Sequence, residues 1–92
     1  MRVNFYATLR QTAGGKTVEL PLSEGATVRQ LLDAVLEKYP AMRGDLFDAG
    51  GRLYPHVHVF INGRDAPYLD DGLDTVLAET DAVDLFPAVG GG

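Results

Sequence analysis

The stretch Thr27-Val28-Arg29-Gln30-Leu31-Leu32-Asp33-Ala34-Val35-Leu36-Glu37-Lys38-Tyr39 decides the fold. It opens with a capping box: the Thr27 hydroxyl can accept from the Gln30 backbone N–H, and the Gln30 side chain can reach back to the Thr27 N–H. Val28, Leu31, Leu32, Val35, Leu36 and Tyr39 then recur at helical spacing and make one apolar face, with Arg29, Asp33, Glu37 and Lys38 on the wet side. Pro40 disfavours helical backbone at Tyr39 and is expected to stop the element. Upstream, Val3–Thr8 and Thr17–Leu22 alternate as strands, and the Ala13-Gly14-Gly15 turn signal between them predicts an N-terminal hairpin. Downstream, Ala41–Pro55 is irregular, with a short helical turn expected at Arg43–Phe47. A third strand carries Val57, Val59 and Ile61 on one face, Asn62-Gly63 is a two-residue hairpin turn, and a short edge strand Arg64–Ala66 runs into Pro67. A single turn is expected at Leu73–Leu77, and Ala82–Phe86 is the last strand. The order is ββαββ: an α+β arrangement in which a mixed sheet wraps one helix, with the first and last strands parallel and joined through the helix crossover.

Ninety-two residues make one domain, 1–92, of which 87–92 read as a flexible tail. An apolar content of 46% is too high for a disordered chain. No apolar run is long enough to cross a bilayer and no signal peptide opens the chain, so the expected home is the cytoplasm and no membrane partner is expected. The formal charge is −5 with the basic residues scattered, which argues against nucleic acid and for a basic protein partner. There is no cysteine, hence no disulfide, no thiolate metal site and no persulfide carried on a side chain.

The chain finishes Ala88-Val89-Gly90-Gly91-Gly92. Glycines cost entropy to order and pack nothing, but they pass through channels that a Cβ would block. Such a tail suits a carboxylate delivered into another protein; taken alone, it suits a frayed terminus equally well. His56 and His58 point to the same side if both lie on a strand and could share a metal ion, but no third ligand is obvious and a solvated pair is the simpler reading. Asp70, Asp71 and Asp74 lack a recognised cation-loop spacing and read as a solvated loop. Gly14-Gly15-Lys16 leads into a strand and is not a phosphate loop. No metal site is assigned.

Phe5-Tyr6-Ala7-Thr8-Leu9-Arg10, Thr27-Val28 with Leu31-Leu32, Val59-Phe60-Ile61-Asn62-Gly63-Arg64 and the closing Asp81-Ala82-Val83-Asp84-Leu85-Phe86-Pro87-Ala88-Val89-Gly90-Gly91 together resemble the β-grasp (ubiquitin-like) sulfur carriers of the molybdopterin synthase small-subunit (MoaD/ThiS) family. Leu53-Tyr54-Pro55-His56 is also similar to the archaeal ubiquitin-like small modifiers and the carriers that feed cysteine synthesis. The resemblance covers nearly the whole chain. It implies a β-grasp fold and a C-terminal glycine that a ubiquitin-activating-type enzyme adenylates and that then becomes a thiocarboxylate. ATP is used by that enzyme, and no cofactor is bound here. The expected acceptor is a molybdopterin synthase large subunit, for molybdenum cofactor biosynthesis. The alternatives are conjugation to target lysines as a protein modifier, or sulfur supply for cysteine synthesis or tRNA thiolation. All catalytic groups would belong to the partners. Family members end at the diglycine, so the reactive terminus is Gly92, or Gly91 if Gly92 is trimmed, with Val89, Gly90 and Gly91 as the tail. Strand alternation combined with the β-grasp strand order puts Tyr6, Phe60 and Phe86 on the face turned away from the helix. With Pro87, they are the expected docking residues.

Overall fold

The computed structural model describes residues 1–87. The tail residues Ala88, Val89, Gly90, Gly91 and Gly92, with the expectations attached to them, lie outside the described residues. Five strands form one sheet: β1 Arg2–Phe5, β2 Thr17–Glu19, β3 His58–Ile61, β4 Arg64–Asp65 and β5 Val83–Phe86. Their order is β2-β1-β5-β3-β4. β1 and β5 pair in parallel, Val3 opposite Val83 and Phe5 opposite Leu85, as the helix crossover requires. The other pairings are antiparallel.

Helix α2, Val28–Lys38, carries the complete capping box, with the Gln30 N–H donating to Thr27 Oγ1 at 3.2 Å and the Thr27 N–H to Gln30 Oε1 at 2.9 Å. Val28, Leu31, Leu32, Val35 and Leu36 are buried. They share one core with Val3 and Phe5 of β1, Val57 and the β3 residues Val59 and Ile61, and Val83 and Leu85 of β5. A one-residue register slip would turn every one of these strand residues to water, so the burial of the whole set fixes the register.

Several boundaries differ from the sequence reading. β1 ends at Phe5, and Thr8–Ala13 is a helix, α1, inserted between the first two strands. Ala7 has a positive φ of 54°, which breaks the strand, and Gly14 closes α1 in the left-handed region with φ 79°. Leu9, expected beyond a strand end, is buried as the inner face of α1. The remaining strands are each one to three residues shorter than the alternation suggests. Pro40 ends α2 and at once starts a 3-10 turn, Pro40–Met42, which leads into α3 at Arg43–Leu46. Asn62 and Gly63, with φ 53° and 82°, make the tight β3–β4 turn. No described helix is long and apolar enough to cross a membrane.

Candidate functional site

The outer face of the sheet, opposite α2, carries side chains from four strands that the pleat turns away from the core. Cross-strand register brings them into one row. Phe5 opposite Leu85 sets Tyr6 beside Phe86; their rings stack with centroids 4.1 Å apart and planes 8° from parallel. Phe60 meets Phe86 edge-on at 5.4 Å, and His58, opposite Phe86 on β3, stacks on Phe60 at 5.6 Å. Tyr6, Phe86 and Phe60 are half-buried, largely against one another. The row therefore presents ring edges and faces to solvent as one surface. Two cations flank its Tyr6 end, Lys16 Nζ at 5.4 Å and the Arg10 guanidinium at 5.9 Å from the ring.

A polar ladder fixes the row from the side. The Tyr6 hydroxyl donates to Asp84 Oδ1 at 3.0 Å, and Asn4 Nδ2 donates to the same oxygen at 2.9 Å. The Thr17 hydroxyl in turn donates to Asn4 Oδ1 at 2.7 Å. Burial first, and then the hydrogen bond and charge of Asp84, raise the Tyr6 phenol above its ordinary 10.0, while Arg10 opposes them. Tyr6 is thus held neutral, with its ring orientation set by Asp84 and its face by Phe86.

Phe86 is the last residue of β5, so the chain leaves the sheet directly beside Tyr6 and Phe60. Pro87 does not join them on the surface. It is buried, which corrects its expected place among the docking residues: the proline aims the chain as it leaves the sheet rather than offering a contact. His56 is not on a strand but in the turn before β3, stacked on Tyr54 at 5.2 Å. His58 Nδ1 lies 2.8 Å from Asp65 Oδ2. The two histidines are therefore separately engaged, and the described residues hold no group of His, Asp or Glu able to bind a metal. Asp74 pairs with Arg29 at 3.1 Å instead of closing a cation loop with Asp70 and Asp71.

Three contributors were not legible in advance. Asp84, Asn4 and Asp65 act through cross-strand partners, and only the register reveals those. Asp81 holds the approach to β5: its Oδ2 accepts from the Ala78 N–H at 2.8 Å and its Oδ1 from Asn62 Nδ2 at 3.0 Å. The Asn62-Gly63 turn is tied in this way to the strand that leads to the tail.

The sequence model of the ThiS family matches residues 3–92. The chain belongs to the ThiS family. This ThiS-family chain is 37% identical over 92 residues to small archaeal modifier protein 3 of Haloferax volcanii, covering 100% of this chain and 98% of that protein. It is 30% identical over 83 residues to the sulfur carrier protein CysO of Mycobacterium tuberculosis, covering 88% of this chain and 85% of that one. The crystal structure of SAMP1 from Haloferax volcanii superposes with a TM-score of 0.84 at 36% identity, over 100% of this chain and 98% of the other. The fold is thus the ubiquitin-like β-grasp, and the chain's class is that of the small sulfur carriers and ubiquitin-like modifiers.

Proposed function

We propose that this ThiS-family chain is a sulfur carrier whose C-terminal glycine, Gly92 or Gly91 after trimming, is activated by a ubiquitin-activating-type enzyme. The observation that carries the reading is the stacked Tyr6–Phe86 pair, edged by Phe60, at the point where the chain leaves β5 toward Gly90-Gly91. A partner that grips the tail must cover this row, and aromatic residues at such a place anchor interfaces well. A carboxylate resists nucleophilic attack because of its own charge. The partner would join it to AMP from ATP, releasing pyrophosphate. Hydrosulfide then attacks the acyl carbon; the C–S bond forms, the C–O bond to the phosphate breaks, and AMP leaves with a thiocarboxylate remaining. ATP belongs to the partner in this scheme, and this chain contributes the end group and the surface that positions it.

The acceptor proposed first is a molybdopterin synthase large subunit. A second reading, conjugation to a lysine amine, is favoured by the 37% identity to a protein named as a small archaeal modifier. Both readings share the adenylate and part only at the nucleophile. Mass spectrometry after incubation with the activating enzyme, ATP and sulfide tests the first: the intact or Gly92-trimmed chain is expected to gain about 16 Da as sulfur replaces oxygen. A variant lacking Gly91 and Gly92 is expected to fold and gain nothing. Normal thiolation of that variant would place the reactive group elsewhere. An amide-linked lysine adduct formed without sulfide would select the second reading.

A further inference from the structure

The β3–β4 turn carries a chemistry of its own, apart from the aromatic row. Asn62 precedes Gly63, and both residues are exposed. Asparagine is a thermolabile residue, because the nitrogen of the following peptide can attack its side-chain amide carbon. A glycine in the next position leaves that nitrogen unhindered, having no Cβ. The space is open as well: among the described residues, no atom beyond its chain neighbours lies within 4 Å of where a Cβ on Gly63 would stand. The other asparagine, Asn4, is shielded. It is half-buried in β1, it is followed by the bulky Phe5, and the Phe5 N–H donates to the Lys16 carbonyl at 2.6 Å. The Asn62 amide is itself engaged at both ends. Its Nδ2 donates to Asp81 Oδ1 at 3.0 Å, and its Oδ1 accepts from the Ala82 N–H at 2.9 Å. Asp81 Oδ2 in turn accepts from the Ala78 N–H at 2.8 Å. Attack by the Gly63 nitrogen needs the Asn62 amide to swing off both bonds, so the fold slows the reaction without abolishing it.

We propose that Asn62 is a deamidation site of this chain, held back by its tie to Asp81 and Ala82, and that its conversion unties the β3–β4 turn from the start of β5. The Gly63 nitrogen gives up its proton and bonds to Asn62 Cγ. The Cγ–Nδ2 bond breaks, and Nδ2 leaves as ammonia, giving a five-membered succinimide. Water then opens the ring. Addition at Cγ leaves aspartate with the backbone intact; addition at the main-chain carbonyl carbon leaves isoaspartate, with the chain rerouted through Cγ. The net change is one water consumed and one ammonia released, with no oxidation or reduction. The aspartyl product sets a carboxylate oxygen where Nδ2 donated to Asp81. Two like charges at hydrogen-bond distance repel, so one of the two carboxylates must move. Whichever moves gives up its backbone donor, Ala82 N–H for residue 62 or Ala78 N–H for Asp81. The isoaspartyl product adds a backbone atom to a two-residue turn whose φ values are 53° and 82°, and such a tight turn has no slack for it.

The test needs no partner. The full chain is incubated at mildly alkaline pH, once folded and once in urea, and then digested with trypsin. In the folded sample a gain of about 1 Da, as an amide becomes an acid, is expected in the peptide Leu53–Arg64 and not in Val3–Arg10. The folded chain is expected to react roughly tenfold more slowly than the chain in urea, since two hydrogen bonds must open first. Asp81→Ala removes one of them and is expected to speed the folded reaction roughly threefold or more. Asn62→Asp stands in for the aspartyl product: hydrogen exchange at the Ala78 or Ala82 amide is expected to rise roughly threefold or more, while Val59 in β3 keeps its protection. Conversion of Asn4 as fast as Asn62, equal rates folded and in urea, an unchanged or slower reaction in Asp81→Ala, or unchanged exchange at both alanines in Asn62→Asp would each overturn the proposal. If Asp81→Ala loses its native spectrum, the folded-to-urea ratio of the wild type decides whether the tie holds the reaction back.

Discussion

Replacing Phe86 with alanine separates a docking residue from a folding residue. Phe86 makes two ring contacts, the stack on Tyr6 at 4.1 Å and the edge contact with Phe60 at 5.4 Å. Such pairs contribute about 0.5–1.5 kcal/mol each beyond area burial, and burial of about half the ring adds about 1 kcal/mol, so truncation is expected to cost about 2–4 kcal/mol of stability. A domain of this size has roughly 5–14 kcal/mol in hand. The least favourable combination still leaves about 1 kcal/mol, which keeps roughly 84% of the chain folded. Loss of an aromatic anchor at an interface centre costs about 2 kcal/mol or more of binding, roughly thirtyfold in Kd. The two effects are therefore resolvable. Urea denaturation gives the first, and a calorimetric titration against the activating enzyme, corrected for the folded fraction, gives the second. A Kd within twofold of wild type, alongside the expected loss of stability, would refute the docking role: Phe86 would then serve only to hold Tyr6 and Phe60 in place.

Leu32, 1% exposed in the middle of α2, is expected to cost about 2–5 kcal/mol on truncation to alanine, read from the urea midpoint. Thr27→Ala is expected to cost only about 1 kcal/mol, because it removes one bond of the capping box and leaves the Thr27 N–H to Gln30 bond in place; a reversal of that order would show the helix face to be misassigned. The Tyr6 phenol is raised by burial and then by Asp84, so the neutral form is favoured by the fold. Its contribution to stability is full below the unfolded value of about 10 and is lost as the pH rises from there through the folded value. In Asp84→Asn the Tyr6 component of the tyrosinate absorbance, identified by difference from Tyr6→Phe, is expected to titrate at lower pH while staying above 10.0, since burial remains. An unmoved titration would show that Asp84 does not govern the phenol.

What was legible in the sequence follows how local each signal is. The capping box and the apolar face of Thr27–Tyr39 are written within one element, and both appear as read. The Asn62-Gly63 turn is equally local, since its two residues tolerate the positive φ that the turn demands. The parallel pairing of the first and last strands follows from the crossover, and with it the nearness of Tyr6, Phe60 and Phe86. Helix α1 is not legible in the sequence because six residues are too few for a period to show, and Phe5-Tyr6-Ala7-Thr8 has strand-like composition. The usable signal was the Leu9 and Ala13 pair four apart, followed by Gly14. The roles of Asp84 and Asp65 depend on partners 78 and 7 residues away, which only register supplies. Pro87 adjoins Phe86 in sequence, but one step along a strand end reverses the face, and it is buried.

β5 runs between β1 and β3, so the tail is continuous with a central strand rather than an edge. Force is the consequence. A pull applied along the axis of β5 loads its hydrogen bonds to both neighbours at once, in shear. An edge strand under the same load would have one ladder to resist it instead of two. A partner can therefore draw hard on the end of this chain, and the load is shared by two ladders before any single bond has to yield.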